Sequence, residues 1–205
     1  MIDRVVTHGT FELDGGSWEV DNNIWLIGDG DEVVVIDAAH DAAPIIEAVH
    51  GRNVVAVVCT HGHNDHVTVA PQLGEAFDAP VLMNPADEVL WRMTHPDKPF
   101  RALQDGRVLT VGGTELRAIH TPGHSPGSTC LHAPERNAVF SGDTLFQGGP
   151  GATGRSYSDF PTILASISEK LGKLPGDTVV YTGHGDTTTI GGELVNYDEW
   201  VARGH

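Results

Sequence analysis

Three histidines and an aspartate crowd into six residues of this chain, in Thr60-His61-Gly62-His63-Asn64-Asp65-His66, directly after the apolar run 54–59. Imidazole nitrogen suits zinc and iron, and a carboxylate adds a harder oxygen, so the stretch offers a divalent cation a mixed set of ligands. H-x-H-x-D-H at the end of an apolar strand reads as a metal-binding loop rather than as a solvated His-rich turn. Side chains at alternate positions of an extended segment point the same way, so His61 and His63 can share one ion while Asp65 and His66 turn toward another.

Three further groups stand in similar contexts. His124 lies in Thr121-Pro122-Gly123-His124-Ser125-Pro126-Gly127, Asp143 in Ser141-Gly142-Asp143-Thr144 and His184 in Gly183-His184-Gly185. Taken singly each reads as an ordinary polar or turn residue. Each follows an apolar segment, however, and the glycines beside Asp143 and His184 give the backbone the close approaches that compact metal loops need. Four strands that deliver ligands where the chain leaves a sheet describe a site held by a rigid scaffold, with loops left to shape a pocket. His95 has no neighbours that complete a coordination set and reads as a surface residue.

The elements that must position these groups follow from the apolar pattern. Strands are expected at 5–13, 24–27 and 33–36, with the turn signal Gly28-Asp29-Gly30-Asp31 making a hairpin of the last two. The β-branched run 54–59 fits a strand buried on both faces. Helices are expected at 42–50, 67–77 and 85–93, a short strand at 80–83, and irregular chain at 94–104. Residues 108–111 and 115–119 flank Gly112-Gly113 as a second hairpin. Strands at 129–132, 138–140 and 179–182 and helices at 160–172 and 192–202 complete the pattern. The helix at 160–172 is capped by Ser158 or Asp159 and packs Ile163, Leu164, Ile167 and Leu171 into the core. Alternating strand and helix imply an α/β arrangement.

A chain of 205 residues fits one domain, taken as 1–205, with a substantial core. Its formal charge of −16 repels phosphate backbones and argues against nucleic acid as a partner. Cys59 and Cys130 lie in apolar segments without a close C-x-x-C partner, which points to a reducing, cytoplasmic setting. No membrane segment is expected, since no apolar run approaches ~18 residues and the N-terminus lacks a signal-peptide core.

The ligand motifs together resemble the metallo-β-lactamase fold superfamily. Phe140-Ser141-Gly142-Asp143-Thr144-Leu145-Phe146, followed by Gly154-Arg155-Ser156 and Asp159-Phe160-Pro161, is similar to its short glyoxalase II-like thioester hydrolases. The resemblance runs from the 33–36 strand to His184. It implies a four-layer αββα sandwich, two facing sheets between helices with the metals at one edge. It also implies one ion on His61, His63 and His124, a second on Asp65, His66 and His184, and Asp143 bridging them. Zinc is the first choice of metal, with iron or manganese as alternatives. Asp37 has two readings: the resemblance makes it a group that orients a ligand, while its position before 42–50 makes it a helix cap.

A dinuclear site of this kind is hydrolytic machinery that needs no side-chain nucleophile. The resemblance implies attack on a thioester of a small thiol carrier, with Asp65 and Asp143 as the catalytic carboxylates. With no cysteine among the ligands, the chain is unlike the best-known antibiotic-degrading members. Ala152 and Asp186 stand where the larger glutathione-specific enzymes carry lysine and tyrosine, and their C-terminal helical extension has no counterpart. A carrier other than glutathione, such as mycothiol, bacillithiol or coenzyme A, is therefore expected, with Asp186 disfavouring the anionic glutathione moiety and Arg155 and Tyr157 as candidates for contacting the carrier. A one-iron persulfide dioxygenase, a lactonase and a non-catalytic metal-binding protein are the alternatives, and the oligomeric state is open.

Overall fold

The computed structural model describes residues 1–204. β1 (Ile2–Leu13) and β2 (Gly16–Gly28) pair along their whole length as an antiparallel hairpin. Asp14 and Gly15 both have positive φ, 53° and 76°, in a two-residue turn whose twist matches the strands. The pattern reading misses residues 16–23 as strand, because most of that stretch is polar and exposed and shows no alternation. The Asp-Gly pair was the available signal.

β2 continues into β3 (Glu32–Ile36) through the expected turn, and β3 pairs in parallel with β4 (Asn53–Val58). Helix α1 (Ala42–Val49) makes that crossover, capped by Asp41 and not by Asp37. The single helix expected at 67–77 is two, α2 (Asn64–Val67) and α3 (Ala70–Phe77). Pro71 sits in the first turn of α3, where its missing N–H costs nothing and where it favours a new start. β5 (Val81–Met83), α4 (Glu88–Thr94) and a two-residue β6 (Arg101–Ala102) follow, so part of the stretch read as irregular adds an edge strand.

β7 (Val108–Val111), β8 (Thr114–His120), β9 (Thr129–Ala133) and β10 (Ala138–Gly142) form an antiparallel run. After a small hairpin of β11 (Leu145–Phe146) and β12 (Gly149–Pro150), α5 (Phe160–Glu169) is capped by Asp159 and crosses to β13 (Val179–Thr182), which is parallel to β10. A short β14 (Thr188–Thr189) follows, and the single helix expected at 192–202 is two, α6 (Ile190–Leu194) and α7 (Tyr197–Arg203).

The strands make two six-stranded sheets, ordered β1-β2-β3-β4-β5-β6 and β14-β13-β10-β9-β8-β7. Strand alternation sorts the buried side chains into three layers. Val33, Val35 and Val57 pack with Ile45 of α1 and Leu73 of α3. Val34, Ile36 and Val58 face Leu116, Leu131 and Phe140 between the sheets. Cys130, Val139 and Val180 pack with Ile163 and Ile167 of α5 and Trp200 of α7. This is the helix-sheet-sheet-helix sandwich of the metallo-β-lactamase fold. Phe140 is fully buried in the central layer, and its truncation to alanine is worth about 3–5 kcal/mol. No helix among the described residues is long and apolar enough to cross a membrane.

Candidate metal centre

The seven candidate ligands converge at one edge of the sandwich. His61 and His63 follow β4, His63 in extended backbone, and α2 begins at Asn64. Asp65 and His66 are thus turned away from the H-x-H pair by the first residues of a helix, not by a continuing extended segment. His124 follows β8, Asp143 follows β10 and His184 follows β13. Gly142 reaches φ 50° here, and a side chain on Gly183 would lie 2.2 Å from Asp143 Oδ1, so both glycines are required by the close packing of the loops.

Two groups of donor atoms result. Nδ1 of His63 is 3.0 Å from Nε2 of His61 and 3.0 Å from Nε2 of His124. Nε2 of His66 is 3.2 Å from Nε2 of His184, and Asp65 Oδ2 lies 3.5 and 3.3 Å from these two atoms. Asp143 stands between the groups, with Oδ1 3.3 Å from His66 Nε2 and Oδ2 3.3 Å from His184 Nε2 and 3.7 Å from His124 Nε2. A tetrahedral ion with nitrogen and oxygen ligands at ~2.0–2.2 Å sets its donors roughly 3.3–3.6 Å apart; the group of Asp65, His66 and His184 lies close to that spacing, and the His61, His63 and His124 nitrogens stand a few tenths of an ångström closer.

The hydrogen bonds on the far side of each ring agree with that use. Nδ1–H of His124 donates to the Ala152 carbonyl at 2.8 Å and that of His184 to the Asp21 carbonyl at 2.7 Å. Both rings therefore turn Nε2 inward, the atom that an ion would take. His63 Nε2, Asp65 Oδ1 and Asp143 Oδ1 are buried without a hydrogen-bond partner. Unmatched polar atoms of this kind are rare in a folded interior, and an ion with its solvent accounts for the two carboxylate oxygens.

The electrostatics separate the groups. Burial, reinforced by the neighbouring histidines, lowers His61 well below the ordinary imidazole range and His63 to about 3, so both rings are neutral. Burial also opposes charge on His66 and His184, but the carboxylates win. Asp143, Asp65 and Asp37 raise His66 well above its ordinary value, and Asp143 and Asp65 raise His184 to about 10. Burial likewise opposes charge on Asp143, yet His184 and His66 hold it well below the carboxylate range.

Four supporting residues were not identified from sequence, or only half so. Asp37 accepts from His66 Nδ1 at 2.8 Å and from the Thr60 hydroxyl at 3.1 Å, and that hydroxyl in turn accepts from His61 Nδ1 at 3.1 Å. One carboxylate thus fixes a histidine in each group, which decides between the two readings of Asp37. Asp87 is fully buried and accepts from Gly62 N at 2.8 Å, Ser125 Oγ at 2.6 Å and Gly127 N at 2.5 Å, tying the His61–His63 loop to the His124 loop. Asn22, also fully buried, donates to Asp65 Oδ2 at 3.2 Å while its oxygen accepts from His40 Nε2 at 2.8 Å. Asn64, a spacer in the motif, accepts from Glu12 N and donates to Thr10 O, both at 2.8 Å. These bonds bracket Phe11, whose ring centroid lies 5.1 Å from that of His63.

A cavity of about 110 Å³ opens over both groups, walled by Phe11, Val20, Ala152 and Arg155 besides His63, Asp65, His124, Asp143 and His184. Of the two candidate contacts, Arg155 lines it. Tyr157 does not; it is 44% exposed and turned aside by left-handed backbone at φ 69°. Asp186 is exposed and is not among the wall residues, whereas Arg155 is. His95 lies off the site as expected, but it is half-buried, its ring bonded to the Val67 carbonyl at 2.9 Å and set against Trp91.

A family model described as the metallo-beta-lactamase superfamily matches residues 18–184. Hydroxyacylglutathione hydrolase GloC of Haemophilus influenzae is 33% identical, with 83% of this chain and 89% of that protein covered. The crystal structure of TTHA1623 in a di-iron-bound form superposes with a TM-score of 0.77 at 32% identity, covering 85% of this chain and 93% of that one. The crystal structure of BLEG-1 B3 metallo-beta-lactamase gives the same TM-score, 0.77, at 28% identity, covering 95% and 99%.

Proposed function

The chain belongs to the metallo-beta-lactamase superfamily, and we propose that within it the chain acts, as one domain over residues 1–205, as a hydrolase that holds two divalent ions and cleaves the thioester of a small thiol carrier. The observation that carries the reading is the pair of complete donor groups with the Asp143 carboxylate between them. His61, His63 and His124 hold one ion, Asp65, His66 and His184 the other, and Asp143 reaches both. Two ions so held supply Lewis acidity and a solvent nucleophile at neutral pH.

The protein's own part is to aim and to exclude. Asp65 lines the cavity with Oδ1 unpartnered, placed to accept the proton of the attacking solvent. No side-chain nucleophile competes: Cys59 and Cys130 are fully buried, and burial pushes the Cys130 thiol up to about 11. Ser125 is turned away onto Asp87 and Ser128. The thioester assignment is supported by the similarity to GloC, a hydroxyacylglutathione hydrolase by name. The completeness of the second donor group sets hydrolysis by two ions above oxidation by a single iron.

The test is one panel of substrates and one elemental analysis. Chain loaded with zinc, iron or manganese is offered thioesters, lactones and, because of the similarity to BLEG-1, a β-lactam, with oxygen uptake followed alongside. Two ions per chain and thioester cleavage without oxygen uptake are expected. A content that never exceeds one ion per chain, with oxygen consumed, would overturn the reading.

A further inference from the structure

His40, in the loop between β3 and α1, is held in a conformation that calls for a reason. Its backbone is left-handed, at φ 61°, which is unfavourable for a residue with a side chain. Its ring is half-buried against β1 at Gly9, where an added Cβ would run into Nδ1, Cγ and Cε1 of His40, so the strand is bare at the position the ring covers. The residues before it are gripped as well: Ala38 N donates to the His66 carbonyl at 2.9 Å, and the Ala39 carbonyl accepts from the Thr7 hydroxyl at 2.9 Å. Backbone strain maintained from several sides clusters where geometry serves a site.

The ring points at the amide of Asn22, with Nε2 2.8 Å from Oδ1. The nitrogen of that fully buried amide is within hydrogen-bond distance of every donor atom of the second group: 3.2 Å from Asp65 Oδ2, 3.3 Å from His66 Nε2 and 3.5 Å from His184 Nε2. An amide has two ends of like shape and opposite character. Turned round, Asn22 would set its oxygen against the Asp65 carboxylate and leave its N–H₂ toward the ring. Among the described residues His40 is the amide's one hydrogen-bond partner outside the donor group, so it alone decides which end faces inward. Burial lowers His40 below the ordinary imidazole value, so at neutral pH the donor is the uncharged Nε2–H tautomer.

We propose that His40 is a positioning residue for the second ion: by donating to Asn22 Oδ1 it turns the amide nitrogen toward Asp65 and fixes the carboxylate of that donor group. This rests on the two-ion part of the reading above and adds to it the residue that sets the direction of Asn22. With Oδ2 held by the amide, Asp65 keeps Oδ1 free, the oxygen assigned to the attacking solvent. The left-handed turn at His40 and the bare strand at Gly9 are then two parts of one arrangement, the first aiming the ring and the second making room for it.

His40→Gly tests this, because it removes the ring while suiting the left-handed backbone, so the fold is not put at risk. Zinc titration of the full chain against chromophoric chelators resolves the two ions. The second should bind about tenfold more weakly than in wild type, the low end of the effect of losing a group that orients a ligand, and the first should be unchanged. His40→Gln, whose amide can donate to Asn22 at a similar reach, should restore most of the loss, and in an Asn22→Ala background His40→Gly should cost the second ion nothing further. A ring that only packs the loop would move the melting temperature and leave the two affinities in their wild-type ratio. That result, equal weakening of both ions, or tighter binding of the second, with the freed amide presenting its oxygen, would overturn the proposal. Exchange of the Asn22 side-chain amide protons, followed by NMR on the zinc-free chain, reads the same lock without an ion: it should accelerate at least about tenfold in His40→Gly and stay near the wild-type rate in His40→Gln. Should wild type take only one ion, the hydrolase reading fails separately, and amide exchange alone decides the positioning, with equal rates in wild type and His40→Gly rejecting it.

Discussion

The carboxylate of Asp37 stands 2.8 Å from Nδ1 of His66 and reaches Nδ1 of His61 through the hydroxyl of Thr60. Asp37→Asn sets an amide N–H₂ against two donors, so His66 is driven to the tautomer whose Nε2 carries a proton. That proton occupies the place of the metal bond. Ion affinity should fall about 10–100-fold, the usual effect of removing a group that orients a ligand. Competition with a chromophoric chelator measures it, and unchanged affinity would show that Asp37 serves only the backbone of Thr60.

Protons and ions compete at the second donor group. His184 is raised to about 10 and His66 is raised as well, whereas an unfolded histidine titrates near 6.5. The imidazoliums therefore stabilise the metal-free fold fully below pH 6.5, and that contribution is lost as pH rises through about 10. Ion binding needs both rings neutral, so adding zinc at pH 8 should release about one to two protons per chain, and affinity should climb with pH. An indicator dye in weak buffer reads the release; none would mean that these rings are already neutral.

Asn64 imitates a strand neighbour for β1. Asn64→Ala removes the acceptor of the Glu12 amide and the donor to the Thr10 carbonyl, which frees the segment carrying Phe11. Amide exchange at Glu12 should accelerate at least tenfold, a loss of about 1.4 kcal/mol or more in local protection. Exchange left at the wild-type rate would mean that β2 alone holds this strand.

The seven candidate ligands were legible because their spacing is dense and local, or because glycines mark them at the ends of strongly apolar strands. The residues that aim them were not. Asp87 lies 25 positions from Gly62 and 40 from Gly127, and Asn22 lies 43 from Asp65, so nothing in the spacing connects them. Each is also a polar residue, for which solvent is the default partner. The first half of β2 was lost for a related reason: Gly16-Ser17-Trp18-Glu19 owes its strand conformation to pairing with β1, not to a buried face. The distinction between Arg155 and Tyr157 depended on the left-handed backbone at Tyr157, which no local pattern announces.

The candidate centre takes His61, His63, Asp65 and His66 from the first sheet and His124, Asp143 and His184 from the second, so each donor group has members from both. At that edge coordination would close the sandwich in place of interdigitated apolar side chains. An ion bound there would be a rivet between two leaves as well as a reagent. The free metal concentration around the protein would then be a variable of its mechanical integrity, and a chelator would act on the loaded fold as a locally targeted denaturant that opens it from the edge where the donors converge.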